Sequence, residues 1–153
     1  MSRYTQRLQR TSSLTLAVGA IYNAASSPRR IAVYYWSMGS PATPADVAIE
    51  AELQLSTTAP TGGTARTPEK VDQADAAATT LAMEAPTANG TLGTPPVGTL
   101  LSLPVNGKAT NQWYALPGNE FVNAATASYG FHIMTPISTA LQSVYSTIMW
   151  EER

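Results

Sequence analysis

The sequence lacks cysteine, holds a single histidine and carries few charged residues. With no cysteine in its 153 residues, the chain can form neither disulfide bonds nor thiolate metal sites. A Ser-His-Asp triad would have to use His132, and a histidine-based metal site would need a second histidine. Charged residues make up 12% of the chain, roughly half the usual share. This composition disfavours a helical bundle and suits short strands, polar loops and a surface that lies against other protein.

Long apolar runs and a large net charge are also absent. No apolar run approaches the ~20 residues that a membrane helix needs, so the sequence predicts no membrane partner. The net charge is −1 and hydrophobic residues make up 44% of the chain, which argues against disorder. The length suffices for one domain with a real core.

Positive charge is concentrated at the N-terminal end. Residues 1–45 contain five arginines and no acidic residue, whereas the remainder contains four basic and ten acidic residues. Residues 1–10, with Arg3, Arg7 and Arg10, are predicted to form a basic arm. Such an arm either docks on an acidic partner surface or nucleic acid, or is a solvated tail. The sequence gives less support to nucleic acid as the partner, because the chain is not basic overall and arginine is not interleaved with aromatic residues beyond the first ten.

The clearest strand pattern lies at 47–55, where apolar residues alternate with alanine, glutamate and glutamine. Similar runs recur at roughly ten-residue spacing between turn-forming residues. They predict about eight strands, at 13–22, 31–38, 47–55, 97–105, 109–116, 120–122, 127–134 and 140–150. The predicted fold class is therefore all-β: an antiparallel β-sandwich, with a jelly roll as one arrangement that fits, in a single domain over 11–153.

Residues 56–96 differ in character from both flanks. Five prolines and many threonines predict a long excursion from the sandwich, of the kind that is functional or held by something outside the domain. Within it, Thr67 can cap a helix, Pro68 suits the first helical position and Glu69 suits the first turn. These residues predict one short helix near 68–78.

Turn-forming residues organise the C-terminal half. Asn106-Gly107 predicts a type I′ hairpin between its flanking strands, because both central residues of that turn need positive φ. Pro117-Gly118 predicts a type II turn, with proline at the second position and glycine at the third. Pro136 is predicted to end the strand before it.

The residues that could carry chemistry favour structural interpretations, so the chain is predicted not to be an enzyme. No catalytic, cofactor-binding or metal-binding residue is predicted. His132 is interpreted as a surface or interface histidine. Glu50 and Glu52 have the residue types of a glycoside hydrolase pair, but two acids on an exposed strand face are more often solvated. Asp72 and Asp75 are interpreted as helix capping or first-turn charges rather than calcium ligands.

The three tryptophans leave two interpretations open. An exposed row of Trp36, Trp113 and Trp150 would form the platform of a glycan-binding module. Tryptophan in a sandwich more often lies in the core or at an interface. Trp36 and Trp113 are accordingly the candidate interface anchors, with glycan binding as the alternative.

Residues 98–133, with 60–76 upstream, carry a resemblance to a known family. In the motif NQWYALPGNEF an aromatic strand runs into a Pro-Gly-x-Glu turn, and the polar strand NAATASYGF follows. With these motifs the chain resembles small β-rich virion structural proteins of tailed bacteriophages, the capsid cement and decoration proteins.

The resemblance implies a non-enzymatic function, the binding and stabilisation of the phage head. It implies the major capsid protein as partner and self-association as a homo-oligomer such as a trimer. The implied location is the capsid exterior, after synthesis in the host cytoplasm. Arg3, Arg7 and Arg10 would contact the capsid or a neighbouring subunit, and 56–96 would supply contacts between subunits. A tail, adaptor or head-fibre component is the alternative virion role.

Overall fold

Two antiparallel sheets pack together in the computed structural model, which describes residues 1–41, 45–92 and 98–153. The predicted all-β sandwich is confirmed. The strands of the described residues are Ser2–Thr11 (β1), Gly19–Asn23 (β2), Ile31–Gly39 (β3), Ala48–Ser56 (β4), Thr64–Arg66 (β5), Glu69–Lys70 (β6), Thr80–Glu84 (β7), Thr99–Asn106 (β8), Asn111–Tyr114 (β9), Phe121–Val122 (β10), Gly130–Ser138 (β11) and Ser143–Glu152 (β12). Over these ranges, no helix is long and apolar enough to cross a membrane.

The strand order places the two chain ends side by side. Sheet A has the order β10-β3-β12-β1-β6, with β9 also paired to β3. Sheet B has the order β5-β7-β2-β11-β4-β8. Strands β1 and β12 pair along their whole length, from Ser2 opposite Glu152 to Thr11 opposite Ser143. The first and last strands of the chain therefore form the centre of sheet A.

The core lies between the sheets and is built from alternating strand positions. Strand β4 confirms the predicted alternation, since Ile49, Ala51 and Leu53 are buried. Sheet A contributes its largest side chains from two neighbouring strands, with Trp36 of β3 and Trp150 of β12 fully buried. Burying such a side chain stabilises a fold by roughly 1.5–3 kcal/mol or more. These contacts fix which face of each strand points outward.

The predicted basic arm at 1–10 is wrong, because these residues form β1. Tyr4 and Leu8 are buried and alternate with exposed Arg3 and Arg7. The buried Gln6 and the high polarity of this segment hide its two-residue period in the sequence. A strand held between β12 and β6 cannot act as a mobile arm.

The predicted excursion at 56–96 is also wrong over its described residues 56–92, as is its helix near 68–78; residues 93–96 lie outside the described ranges. The segment holds β5, β6 and β7, and β7 lies inside sheet B between β5 and β2. The region near 68–78 contains β6 followed by turns. The carboxylate of Asp72 accepts a hydrogen bond from the Ala74 N–H at 2.9 Å, which closes a local turn instead of capping a helix.

The turn predictions have mixed outcomes. Pro117-Gly118 is confirmed, because Gly118 has φ +92° and the Leu116 carbonyl accepts the Asn119 N–H at 2.9 Å. Asn106-Gly107 is not a hairpin turn: β8 pairs with β4 in sheet B, and β9 pairs with β3 in sheet A. The chain changes sheets at this turn.

Pro136 does not end its strand. It lies inside β11, where the register against β4 shifts between Met134 and Ile137. A β-bulge tolerates proline because the extra residue makes no ladder hydrogen bond.

Candidate interaction surface on the outer face of sheet A

The outer face of sheet A carries a group of aromatic and arginine side chains from four strands. The positions follow from the alternation of each strand, since the odd-numbered residues of β1 and β12 are the more exposed ones. We call this surface the tyrosine face, and its members are Arg3, Arg7, Tyr34, Tyr35, Gln112, Tyr114, Tyr145 and Met149.

A β-bulge brings two consecutive tyrosines to the tyrosine face. The register between β12 and β3 pairs Met149 with Tyr35 and then Trp150 with Val33, so Tyr34 has no partner. The extra residue allows Tyr34 and Tyr35 to remain on the outer side while Trp150 and Val33 are buried. The sequence run IAVYYWSM therefore contributes side chains both to the core and to the tyrosine face.

The aromatic rings of the tyrosine face already have neighbours within the chain. The rings of Tyr35 and Tyr114 lie 4.8 Å apart at an interplanar angle of 50°. The Arg7 guanidinium lies 3.9 Å from the centre of the Tyr145 ring, which is a close cation–π contact. Tyr114 is 62% exposed, which leaves it open to a partner.

The charges on this face are partly compensated. The Arg3 Nε donates to the Glu151 carboxylate at 3.0 Å, and the Arg3 guanidinium lies 5.9 Å from the Tyr34 ring centre. Burial raises the pKa of the Tyr34 hydroxyl, and the Arg3 charge opposes this increase. Among the residues that the structure describes, Arg7 makes no ion pair.

The structure brings together two of the five predicted interface residues. Arg3 and Arg7 lie on the tyrosine face. Arg10 is at an even-numbered position of β1 and therefore points away from the tyrosine face. Its Nη1 donates to the carbonyls of Ala17 and Pro86 at 3.0 and 2.6 Å. Its hydrogen bonds thus hold two loops together.

Neither candidate tryptophan anchor lies on the outer face. Trp36 is fully buried and donates its Nε1–H to the Ser146 Oγ at 2.9 Å. Trp113 is half-buried on the core side and stacks on Phe121, with ring centres 4.7 Å apart and planes 20° apart. With Trp150 also in the core, the tryptophans form no exposed row.

Sequence reasoning missed the four tyrosines of this face. Tyr114 follows Trp113, and strand alternation would have assigned these neighbours to opposite faces. The position of Tyr145 was recoverable in the same way from buried Val144 and Ser146. What the sequence could not supply was the register that joins β1, β12, β3 and β9 into one surface.

The interpretation of His132 as a surface or interface histidine is wrong. The imidazole is fully buried on the outer side of sheet B, and the Gly90 N–H donates to its Nε2 at 3.2 Å. Burial lowers the pKa of His132 to about 4, so the imidazole is neutral near neutral pH. Its Nδ1 has no hydrogen-bond partner among the described residues.

The carboxylates of Glu50 and Glu52 accept hydrogen bonds from hydroxyl groups of the neighbouring strand β8. The Thr99 hydroxyl donates to the Glu52 carboxylate at 3.1 Å, and the Ser102 hydroxyl donates to Glu50. In the described parts of the chain, no group of three or more His, Asp or Glu side chains is placed to hold a metal ion.

Comparison with family models, with curated proteins and with solved structures finds no match to this chain.

Proposed function

We propose that this chain is a non-enzymatic virion structural protein, a cement or decoration protein that binds and stabilises the head of a tailed bacteriophage. The proposal joins the sequence resemblance at 98–133 to one structural observation, the tyrosine face. Tyrosine, arginine and methionine are enriched in protein interfaces. A broad sheet face that exposes them in one place supports a docking role.

The ring geometry favours a protein partner over a glycan. Sugars stack on open, roughly coplanar rings. Tyr35 and Tyr114 are tilted by 50° to each other, and Arg7 lies over the ring of Tyr145. The buried positions of Trp36 and Trp150 remove the tryptophan platform that a glycan-binding module would use.

In this proposal the major capsid protein is the partner, on the capsid exterior, and the chain is made in the host cytoplasm. The chain also associates with its own copies as a homo-oligomer such as a trimer. No catalysis is required. Repetition on a lattice multiplies modest contacts through effective concentration, so each copy needs only moderate affinity. A tail, adaptor or head-fibre position would use the same fold at low copy number.

Point variants can test the tyrosine face while leaving β1 in place. Tyr114→Ala and Arg7→Glu should each weaken binding to heads by about tenfold or more, as interface aromatic and arginine residues commonly do. Arg30→Glu makes the same charge change at an exposed position between β2 and β3 and should leave binding nearly unchanged.

The copy number of the protein per particle tests the role itself. Quantitative mass spectrometry of purified virions should find on the order of hundreds of copies, the repetition on which lattice avidity depends. A dozen or fewer would identify an adaptor or tail component instead. Absence from the virion would overturn the proposal.

A further inference from the structure

Half of one edge of β1 is unpaired in the described structure. Strand β12 covers one edge along all of β1, but β6 covers the other only at Tyr4 and Thr5. Beyond Thr5, no strand of the described residues pairs with that second edge. The segment from Arg7 to Thr11 is therefore an edge that could receive a further strand.

The direction of the backbone groups on this edge follows from Arg3. Its N–H donates to Asp75 at 3.1 Å and its carbonyl accepts the Val71 N–H at 2.9 Å, both on the side away from β12. In an antiparallel strand the N–H and C=O of alternate residues point to the same side. The N–H and C=O groups of Arg7, Gln9 and Thr11 consequently face the open edge.

The Gln6 side chain makes a hydrogen bond at this edge that an added strand would otherwise make. The Gln6 Nε2 donates to the Arg7 carbonyl at 2.9 Å, which is the position that a strand N–H would take. The Gln6 side chain is more than nine-tenths buried, and its Oε1 has no hydrogen-bond partner in the described residues. A buried acceptor of this kind carries a free-energy cost that a bound donor would relieve.

A groove follows the open edge. A cavity of 270 Å³ lies at Gln6 and Arg7, and a second cavity of 790 Å³ extends to Leu14. Gln9 and Glu84 line both cavities, so the two lie next to each other, and together we call them the groove. The five residues from Arg7 to Thr11 span roughly 17 Å at the rise of a β-strand, which is the length of a short added strand.

The groove carries an excess of positive charge, which favours an acidic ligand. Arg7, Arg10 and Arg66 line it. Glu84, its single carboxylate among the described residues, is already bound by Arg66 through two hydrogen bonds of 2.9 and 2.8 Å. An occupant with carboxylates fits this excess of positive charge. A second copy of β1 would bring the same arginines to the edge and would be repelled.

The larger cavity of the groove contains exposed leucines among polar side chains. Leu14 and Leu141 are 51% and 63% exposed and line the larger cavity together with Ala85 and Ala140. An apolar side chain near one end of the occupant would cover them.

We propose that the open edge of β1 binds an extended acidic segment of another protein by strand addition. Backbone hydrogen bonds to Gln9 and Thr11 hold the segment, a carboxylate pairs with Arg7, and an apolar side chain covers Leu14 and Leu141. This site is separate from the tyrosine face apart from Arg7, and it does not depend on the virion role.

The test uses the full chain and two synthetic peptides, one alternating valine with glutamate and one alternating valine with lysine. Amide hydrogen exchange is followed by NMR at peptide concentrations up to about 1 mM. The glutamate peptide should slow exchange of the Gln9 and Thr11 amides by about tenfold or more. Arg7→Glu should remove this protection, whereas Arg30→Glu should retain it.

Three results would overturn the proposal. The first is no protection of Gln9 or Thr11 by the glutamate peptide. The second is equal protection by the lysine peptide, which would remove the charge argument. The third is protection without peptide together with a dimer in sedimentation, which would make a second copy the occupant. Because no phage particle is used, the outcome is independent of the copy-number test.

Discussion

Acidification should destabilise the protein through His132. This imidazole is fully buried beneath the chain around Gly90, and its Nε2 accepts the Gly90 N–H. An imidazolium has N–H donors at both nitrogens, so protonation would break this hydrogen bond and place an unpaired charge in the interior. The folded protein therefore resists protonation of His132 more than the unfolded chain does.

The size of the effect follows from the two pKa values of His132. Its pKa is about 4 in the folded protein and 6.5 in the unfolded chain. As pH falls, the unfolded chain takes up the proton first, so stability is complete above about pH 6.5 and declines until about pH 4. Each unit of pKa difference is worth ~1.4 kcal/mol, so a difference of about 2.5 corresponds to about 3.5 kcal/mol in full, of which about 3 kcal/mol is lost by pH 4.

Urea unfolding followed by tryptophan fluorescence measures this loss between about pH 7 and pH 4. Carboxylates also titrate in this range, so the comparison is with His132→Gln, which keeps an acceptor and does not titrate. The pH-dependent loss should be smaller in the variant by about 3 kcal/mol. The same pH profile in both proteins, or an NMR titration of folded His132 with its midpoint near the unfolded value, would refute the reasoning.

Further predictions concern hydrogen bonding and glycine positions. Ser146→Ala leaves the buried Trp36 Nε1–H without its 2.9 Å acceptor and should lower the free energy of unfolding by about 1–3 kcal/mol. Combining it with Trp36→Phe should cost less than the two single changes added together, and strict additivity in urea unfolding would contradict the pairing. Gly90→Ala should destabilise the protein by about 2 kcal/mol or more, because the new Cβ would collide with the Thr58 carbonyl. Gly118→Ala meets no atom within 4 Å and has only its positive φ to overcome, so its cost should be nearer 1 kcal/mol; a larger loss there than at Gly90 would reverse our explanation.

Local signals in the sequence predicted the features that depend on neighbouring residues. The alternation that predicted β4 places Ile49 and Leu53 in the core. The Pro117-Gly118 turn is determined by the φ preferences of two adjacent residues. Such features need no knowledge of which strands pair.

The missed features depend on residues far apart in the chain. His132 is buried because the chain around Gly90 covers it, and no local pattern reports that cover. Asn106-Gly107 has the local chemistry of a hairpin, but its two flanking strands find better partners in different sheets. Strand β1 has a polar sequence with only a weak alternation, and its pairing with β12 is what identifies it as a central strand.

Only part of the tyrosine face was predictable, because its members come from strands that are distant in sequence. Arg3 and Arg7 stood out by their charge, but their alternation with buried Tyr4 and Leu8 went unused. Their tyrosine neighbours come from strands more than 20 residues away in sequence, so the surface exists only through the register of sheet A. The open edge of β1 likewise follows from the short pairing with β6.

Oxidative footprinting of the protein, free and bound to purified phage heads, shows whether the tyrosine face is the docking surface. If the tyrosine face is the docking surface, Tyr114 and Met149 should become protected on the heads. Leu81, which is 45% exposed on sheet B, should react equally in both states. Unchanged reactivity of Tyr114 and Met149 in the bound protein would show that the tyrosine face does not contact the heads.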